Sequence, residues 1–172
     1  MTSKSKSTEV ATTSPATQPA TRPAKKPSTR TEVLRELYLA CGLIPEDTYQ
    51  MKFGGGPGQT IITRSGVEKI QHHFGMSCVF QLERLDPHFA AVKCTVSWQM
   101  DGATKQLETF GSALYSPDRK AGTSISLYVL ELAEKRAKSR AVLQASGAYM
   151  NGAFGEDESD SFKRYPTEME EM

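Results

Sequence analysis

The chain has 172 residues, with 21 Lys and Arg against 20 Asp and Glu, and 38% of its residues are hydrophobic. That length suits one domain with tails. No apolar run approaches the ~18 residues of a membrane span, and no apolar core marks the N-terminus as a secretory signal.

The near-zero net charge conceals an asymmetry: residues 1–30 carry six basic and one acidic side chain, residues 156–172 two basic and seven acidic. Residues 1–28 read as a disordered basic arm. Pro15, Pro19, Pro23 and Pro27 block regular structure there, and apolar side chains are too few to offset the entropy of ordering. The Ser/Thr-rich, acid-poor composition resembles an organelle transit peptide superficially, but the first 29 residues hold one Arg and no amphipathic period. Residues 161–172 read as a disordered acidic tail. Between them, 29–160 is expected to be a single α+β domain. Limited proteolysis should therefore trim the chain to a core of about 30–160, and early cleavage inside 92–100 would contradict that map.

Order begins near Thr29. Thr29-x-x-Glu32 is a capping box, Leu34, Leu37 and Cys41 repeat at helical spacing, and Gly42 suits the residue that closes a helix. The run from Gly54 to Gly58 lacks the Gly-Lys-Ser/Thr ending of a phosphate-binding loop and precedes no long helix, so it reads as a flexible turn. Ile61 to Thr63 suit a short strand or packed lead-in. Ser65-x-x-Glu68 reads as a second capping box, with Val67, Ile70 and Phe74 on the buried face and Gly75 as the stop. His72 and His73 fall late in that helix, where they complement its dipole or form a packed polar edge rather than supply a catalytic base.

The strand signal is clearest at Val92, Cys94, Val96, Trp98 and Met100, which alternate with Lys93, Thr95, Ser97 and Gln99. Asp101-Gly102 supplies a two-residue hairpin turn. Residues 105–114 return as its partner, and 77–85 form a preceding strand joined through Asp86-Pro87. An antiparallel β-meander of three or more strands, packed on helices, then leads through Pro117–Gly122 into a long helix.

That helix, from Leu130 towards Gly147, carries Ala133, Ala137, Ala141 and Ala145 on one face. Such a stripe lets a helix lie close against a sheet or another helix. Arg136 and Arg140 fall beside it, placed to grip a phosphate bidentately. Lys135 and Lys138 lie further round, where Glu131 and Glu134 are each four residues away. The plainer alternative is a surface helix laced by such pairs. Leu127, Leu132 and Leu143 lie outside the Ala stripe, an apolar surplus that predicts a homo-oligomer.

No catalytic site is expected. The sequence has no Ser/His/Asp order, no paired-His metal motif and no glycine-rich loop opening a helix. Cys41, Cys78 and Cys94 contain no CxxC, and His72, His73 and His88 are not spaced to join them, so reduced buried thiols are expected rather than a metal site or cofactor. Glu156, Asp157, Glu158 and Asp160 lack the glycine and spacing of a calcium loop. They read as solvated tail, or as a partner-docking peptide ending in Phe162.

A short helix ending in Phe74-Gly75, a strand–Asp-Gly–strand hairpin, a glycine-containing strand (Phe110-Gly111-Ser112-Ala113) and a Lys/Arg/Ala-rich helix ending at Gly147 together resemble the single-strand annealing recombinase superfamily. That superfamily includes the Erf-like phage recombination proteins and the eukaryotic annealing mediator. The likeness covers about residues 61–160, and with the acidic close from Gly155 to Phe162 it is also similar to small phage or mobile-element proteins. The resemblance implies a ring or filament that holds and anneals single-stranded DNA in a basic groove, without nucleotide hydrolysis, in recombination or replication. It implies a cytoplasmic location, the bacterial host's cytoplasm if the protein is phage-encoded, and a recombination or replication protein as partner of the acidic tail. Arg136 and Arg140, with Lys135 and Lys138, match the family's basic helix. The short, near-neutral core departs from the family and predicts weaker binding.

Single-strand binding needs cations for phosphates and aromatic faces for bases. Lys93 and Lys105 on the outward strand face, Arg64 and Lys69 on the preceding helix, and Tyr115, Tyr128 and Tyr149 beside the basic helix supply candidates. The alternative function is a non-enzymatic oligomeric adaptor or structural protein whose charged tails recruit partners. Arg136 and Arg140 read as exposed and weakly paired, so their replacement by Ala is expected to leave the fold intact.

Overall fold

The structure, a computed structural model, describes residues 29–52, 58–116 and 128–162. The expected arm 1–28, residues 163–172 of the expected tail, most of the Gly54–Gly58 turn, the Pro117–Gly122 connection and Leu127 lie outside the described residues.

α1 (Arg30–Ala40) starts as its capping box predicts: Glu32 N–H donates to Thr29 Oγ1 (3.2 Å), and Thr29 N–H donates to the Glu32 carboxylate (3.0 Å). Gly42 closes it with φ of +65°. α2 (Arg64–His73) corrects the second expected box. Its N-cap is Thr63, which accepts the Gly66 N–H, while Ser65 donates to Asp47 (2.7 Å) and Glu68 pairs with Arg64 (3.1 Å).

Asp47 is the reason the helix starts there. It closes a single 3-10 turn, Pro45–Asp47, and is buried. Its carboxylate accepts from Ile44 N–H (2.9 Å), the Ser65 hydroxyl (2.7 Å) and Lys69 Nζ (2.6 Å). Its carbonyl accepts from the Thr63 N–H (2.9 Å). Burial pushes this carboxyl up, but Lys69, the Ile44 amide and Ser65 together outweigh it and hold the group below its ordinary value of 3.8. A depressed carboxylate contributes stability fully present above its unfolded pKa and lost as pH falls through its folded one. Asp47→Asn should therefore cost about 2 kcal/mol at pH 7 and flatten the loss of stability below about pH 4, as read by urea titrations across pH.

The main sheet is the expected meander, β3 (Ser77–Asp86), β4 (Phe89–Met100) and β5 (Ala103–Leu114), antiparallel in that order. Asp101 and Gly102 turn the hairpin with φ of +53° and +75°, both positive as a two-residue turn with the strands' own twist requires. Ala90, Val92, Cys94 and Val96 point inward and are buried. A second sheet was not anticipated. In it β1 (Thr48–Met51) pairs antiparallel with β2 (Gln59–Ile62), and β2 pairs parallel with β6 (Ala153–Gly155).

α3 (Val129–Ala145) lies between the two layers. Ala133, Ala137 and Ala141 have no exposed surface and face β4 and β5. Away from the strands, Leu143 is fully buried beside Gly155 of β6, α4 (Glu156–Phe162) packs on the same helix, and Val142 is fully buried in the core. Gly111 sets the approach: a Cβ there would drive into Ala133 O and Ala137 N and stand 3.0 Å from Ala137 Cα. At this separation Thr109 Oγ1 donates to Ala137 O (2.8 Å) across the layer.

Two expectations change. Leu143 is covered within its own chain and Leu132 packs on the core, so neither is surplus for a partner. Exposed apolar side chains are instead spread over the described surface, with Leu39 at 73% and Met150 at 76%, and one group lies on β3, where Val79 is 65% exposed, Leu82 51% and Leu85 53%. The acidic stretch from Glu156 is likewise no solvated tail. It forms α4, with Glu158 and Ser159 buried.

Candidate nucleic-acid interface

The eight cations selected from sequence fall into separate environments. Arg140 is held on both sides. Its Nε donates to Glu158 Oε1 (2.7 Å), Nη2 reaches the same oxygen (2.5 Å), and Nη1 donates to Phe110 O (2.6 Å). Arg136 follows suit, Nη1 to Ser112 O (2.7 Å) and Nε to Asp157 O (3.2 Å). Ser139, between them on the helix, donates to Asp157 Oδ2 (3.2 Å).

The carbonyls involved lie on the outer margin of β5. Tyr115 N–H donates to His88 O, and pairs in an antiparallel ladder alternate between bonded and non-bonded. The register then makes Lys93↔Phe110 and Ala91↔Ser112 non-bonded pairs, whose peptide groups face away from β4. The two guanidiniums wrap over that margin and clamp α4 to it.

The expectation that these arginines are weakly paired surface groups is therefore corrected. Glu158, one of their main partners, was missed because its segment reads as tail by charge. The available signal was charge balance, since four acids follow a helix with four cations and a small residue, Ser139, among them. One oxygen of Glu158, Oε2, is buried without a hydrogen-bond partner. Nearby, burial, then the Glu158 charge, push the Tyr149 phenol up despite Arg140.

Lys69 belongs to the buried Asp47. Lys93 is on the outward face, 3.6 Å from Glu108. Lys105 is not beside it: it stands opposite Trp98, on the helix-facing side, exposed near the hairpin end. The remaining three do converge. Arg64 from α2 and Lys135 and Lys138 from α3 line one small cleft with Glu68, Glu134 and Asp157. Lys138 turns to Glu68 (3.8 Å) across the cleft, and Lys135 is exposed. Of the tyrosines, Tyr128 is 71% exposed at the start of α3, Tyr115 packs on His88 and Tyr149 on Phe154.

Among the described residues, no three of His, Cys, Asp and Glu come together to hold a metal ion, and no helix is long and apolar enough to cross a membrane. Compared with protein families, curated proteins and solved structures, the chain matches none.

Proposed function

We propose that this protein is a non-enzymatic single-stranded DNA-binding and annealing protein of recombination or replication. It acts as a homo-oligomer and holds the phosphate backbone without hydrolysing nucleotide. The observation that carries this reading is the convergence of Arg64, Lys135 and Lys138 from two helices on one cleft. The likeness of the helix–meander–helix order to the annealing recombinases supports it. Phosphates would replace Glu68 as the partner of Arg64 and Lys138, and exposed Tyr128 offers a face for a base.

The acids in the cleft oppose phosphate, so affinity should be modest and steeply salt-dependent. Lys135→Ala with Lys138→Ala is expected to weaken binding of a mixed-base oligonucleotide and to lower the slope of log affinity against log salt by about 0.7 per lost contact. Fluorescence anisotropy at several salt concentrations measures both, and an unchanged affinity and slope would reject the site. The adaptor function is favoured by one observation, the apolar side chains exposed along β3. A protein that self-associates but ignores the oligonucleotide would establish it.

A further inference from the structure

β3 ends the meander, and among the described residues no strand pairs with its outer edge. Of its ten residues all but Cys78 and Asp86 are exposed, so that edge is open. The ladder fixes which peptide groups it presents. Lys93↔Phe110 is a non-bonded pair of β4 and β5, so the peptide groups of Lys93, and of Thr95 two residues on, face β3. Their partners there are Gln81 and Val79. The N–H and C=O groups of Cys78, Phe80 and Leu82 therefore point off the free edge. Their side chains continue the helix-facing side of the sheet. Val96, Cys94 and Val92 opposite them are buried, but Phe80 and Leu82 stay exposed. From Ser77 to Leu82 the strand carries no charge. A register shift between Leu82 and Arg84 then marks a bulge that ends the regular edge.

We propose that β3 is the interface between two copies of this chain, paired antiparallel about a two-fold axis at Phe80. Phe80 then faces Phe80 of the second copy, and Cys78 faces Leu82 in both directions. Every outward residue meets an outward residue, and each pair exchanges both of its N–H···O=C bonds. Other registers lose bonds. A shift one way sets Leu82 against Met76, which lies outside the strand, and a shift the other way sets Cys78 against Arg84, whose peptide faces β4. Charge selects the same register. Glu83 falls opposite Ser77 of the second copy, whereas pairing centred on the bulge would set Glu83 against Glu83, and like charges directly opposite are destabilising.

A second copy is the occupant because the uncharged run matches itself residue for residue, as a two-fold contact requires. It offers a charged partner nothing to pair with. A strand pair of this length buries less than the ~1,200 Å² at which stable complexes begin, so association should be weak and concentration-dependent. This names the contact behind the homo-oligomer of the proposed function and rests on that part of it alone. The test uses no oligonucleotide, so its failure is distinct from a failure of DNA binding.

Sedimentation velocity of the full chain from about 1 to about 200 µM should show monomer passing to dimer by mass action. Phe80→Pro removes an outward N–H that the β3–β4 ladder does not use, and edge strands tolerate proline there, so the dimer should be lost. Leu82→Lys leaves the backbone intact and should weaken association at least ~10-fold by desolvating a charge against the second copy. Both should keep the circular dichroism of the parent. Leu82→Cys should cross-link two chains through the native Cys78 under air oxidation, since facing Cα atoms about 5.5 Å apart suit a disulfide. Peptide mass spectrometry identifies the linked pair. A monomer at the highest concentration, a dimer that Leu82→Lys leaves unchanged, or no cross-link to Cys78 from Leu82→Cys would overturn the proposal.

Discussion

Gly111→Ala is expected to destabilise the protein by about 3 kcal/mol or more, the largest effect of a methyl added at any of the described glycines. The new Cβ would overlap Ala133 O and Ala137 N and press on Ala137 Cα at 3.0 Å. All are backbone atoms of one helix, so no side chain can rotate away. Relief requires α3 to lift off the sheet, which strains the Thr109–Ala137 bond and opens voids along Ala133, Ala137 and Ala141. Gly102→Ala is the control. It has a positive φ but nothing within 4 Å, so it should cost only about 1 kcal/mol. Urea unfolding of both variants measures the difference, and equal costs would mean that α3 does not depend on the close approach at Gly111.

Arg140→Ala is expected to cost about 2–3 kcal/mol and to release α4. The Glu158 side chain is 7% exposed and Arg140 36%. Breaking a buried pair from one side costs ~3–5 kcal/mol because it strands the remaining charge, and water at the arginine end reduces that figure. Phe110 O loses its donor as well. Adding Glu158→Gln to Arg140→Ala should recover part of the loss, since the stranded charge is gone. Hydrogen exchange in residues 156–159 should accelerate in Arg140→Ala and slow again in the double variant. No change in stability or exchange would show the pair to be an ornament of the surface. For nucleic-acid binding the consequence is practical: an affinity lost with Arg140 has to be separated from the loss of α4.

The sequence disclosed what periodicity can disclose. Twelve-residue β4 alternates long enough to fix its inward face, and Asp101-Gly102 announces its turn. The Ala stripe announced a helix lying close to a neighbour, and Gly111 is the matching small residue on the strand. β1 and β6, of four and three residues, are too short to carry a period, and β6 finds its partner only through a parallel pairing with β2, more than 90 residues away in sequence. The capping of α2 was misread because Ser65 and Glu68 fit a local pattern, while a tertiary bond to Asp47, 18 residues upstream of Ser65, claims the serine.

The candidate site was legible as residue types and not as partners. Helical geometry placed Arg136 and Arg140 beside the stripe, but what they face depends on where chain beyond residue 150 returns. A run of acids carries no sign that it will dock, because docking is decided by a complementary surface elsewhere. Lys105 was assigned the wrong face because its strand lacks the alternation that fixes β4, and only the hairpin register settles it.

The guanidiniums over β5 bear on how copies of this chain can join. Strand-to-strand assembly into a ring or a filament requires each copy to present two unlike margins, one to accept the preceding copy and one to receive the next. Here Phe110 O and Ser112 O are already occupied from within, while β3, the other terminal strand of the meander, has a strand on one side only among the described residues. Pairing through β3 alone extends the sheet once, by a copy turned through a two-fold axis. Propagation past two copies along the meander would have to use the 104–108 end of β5, or begin with the removal of Arg136 and Arg140 from their carbonyls.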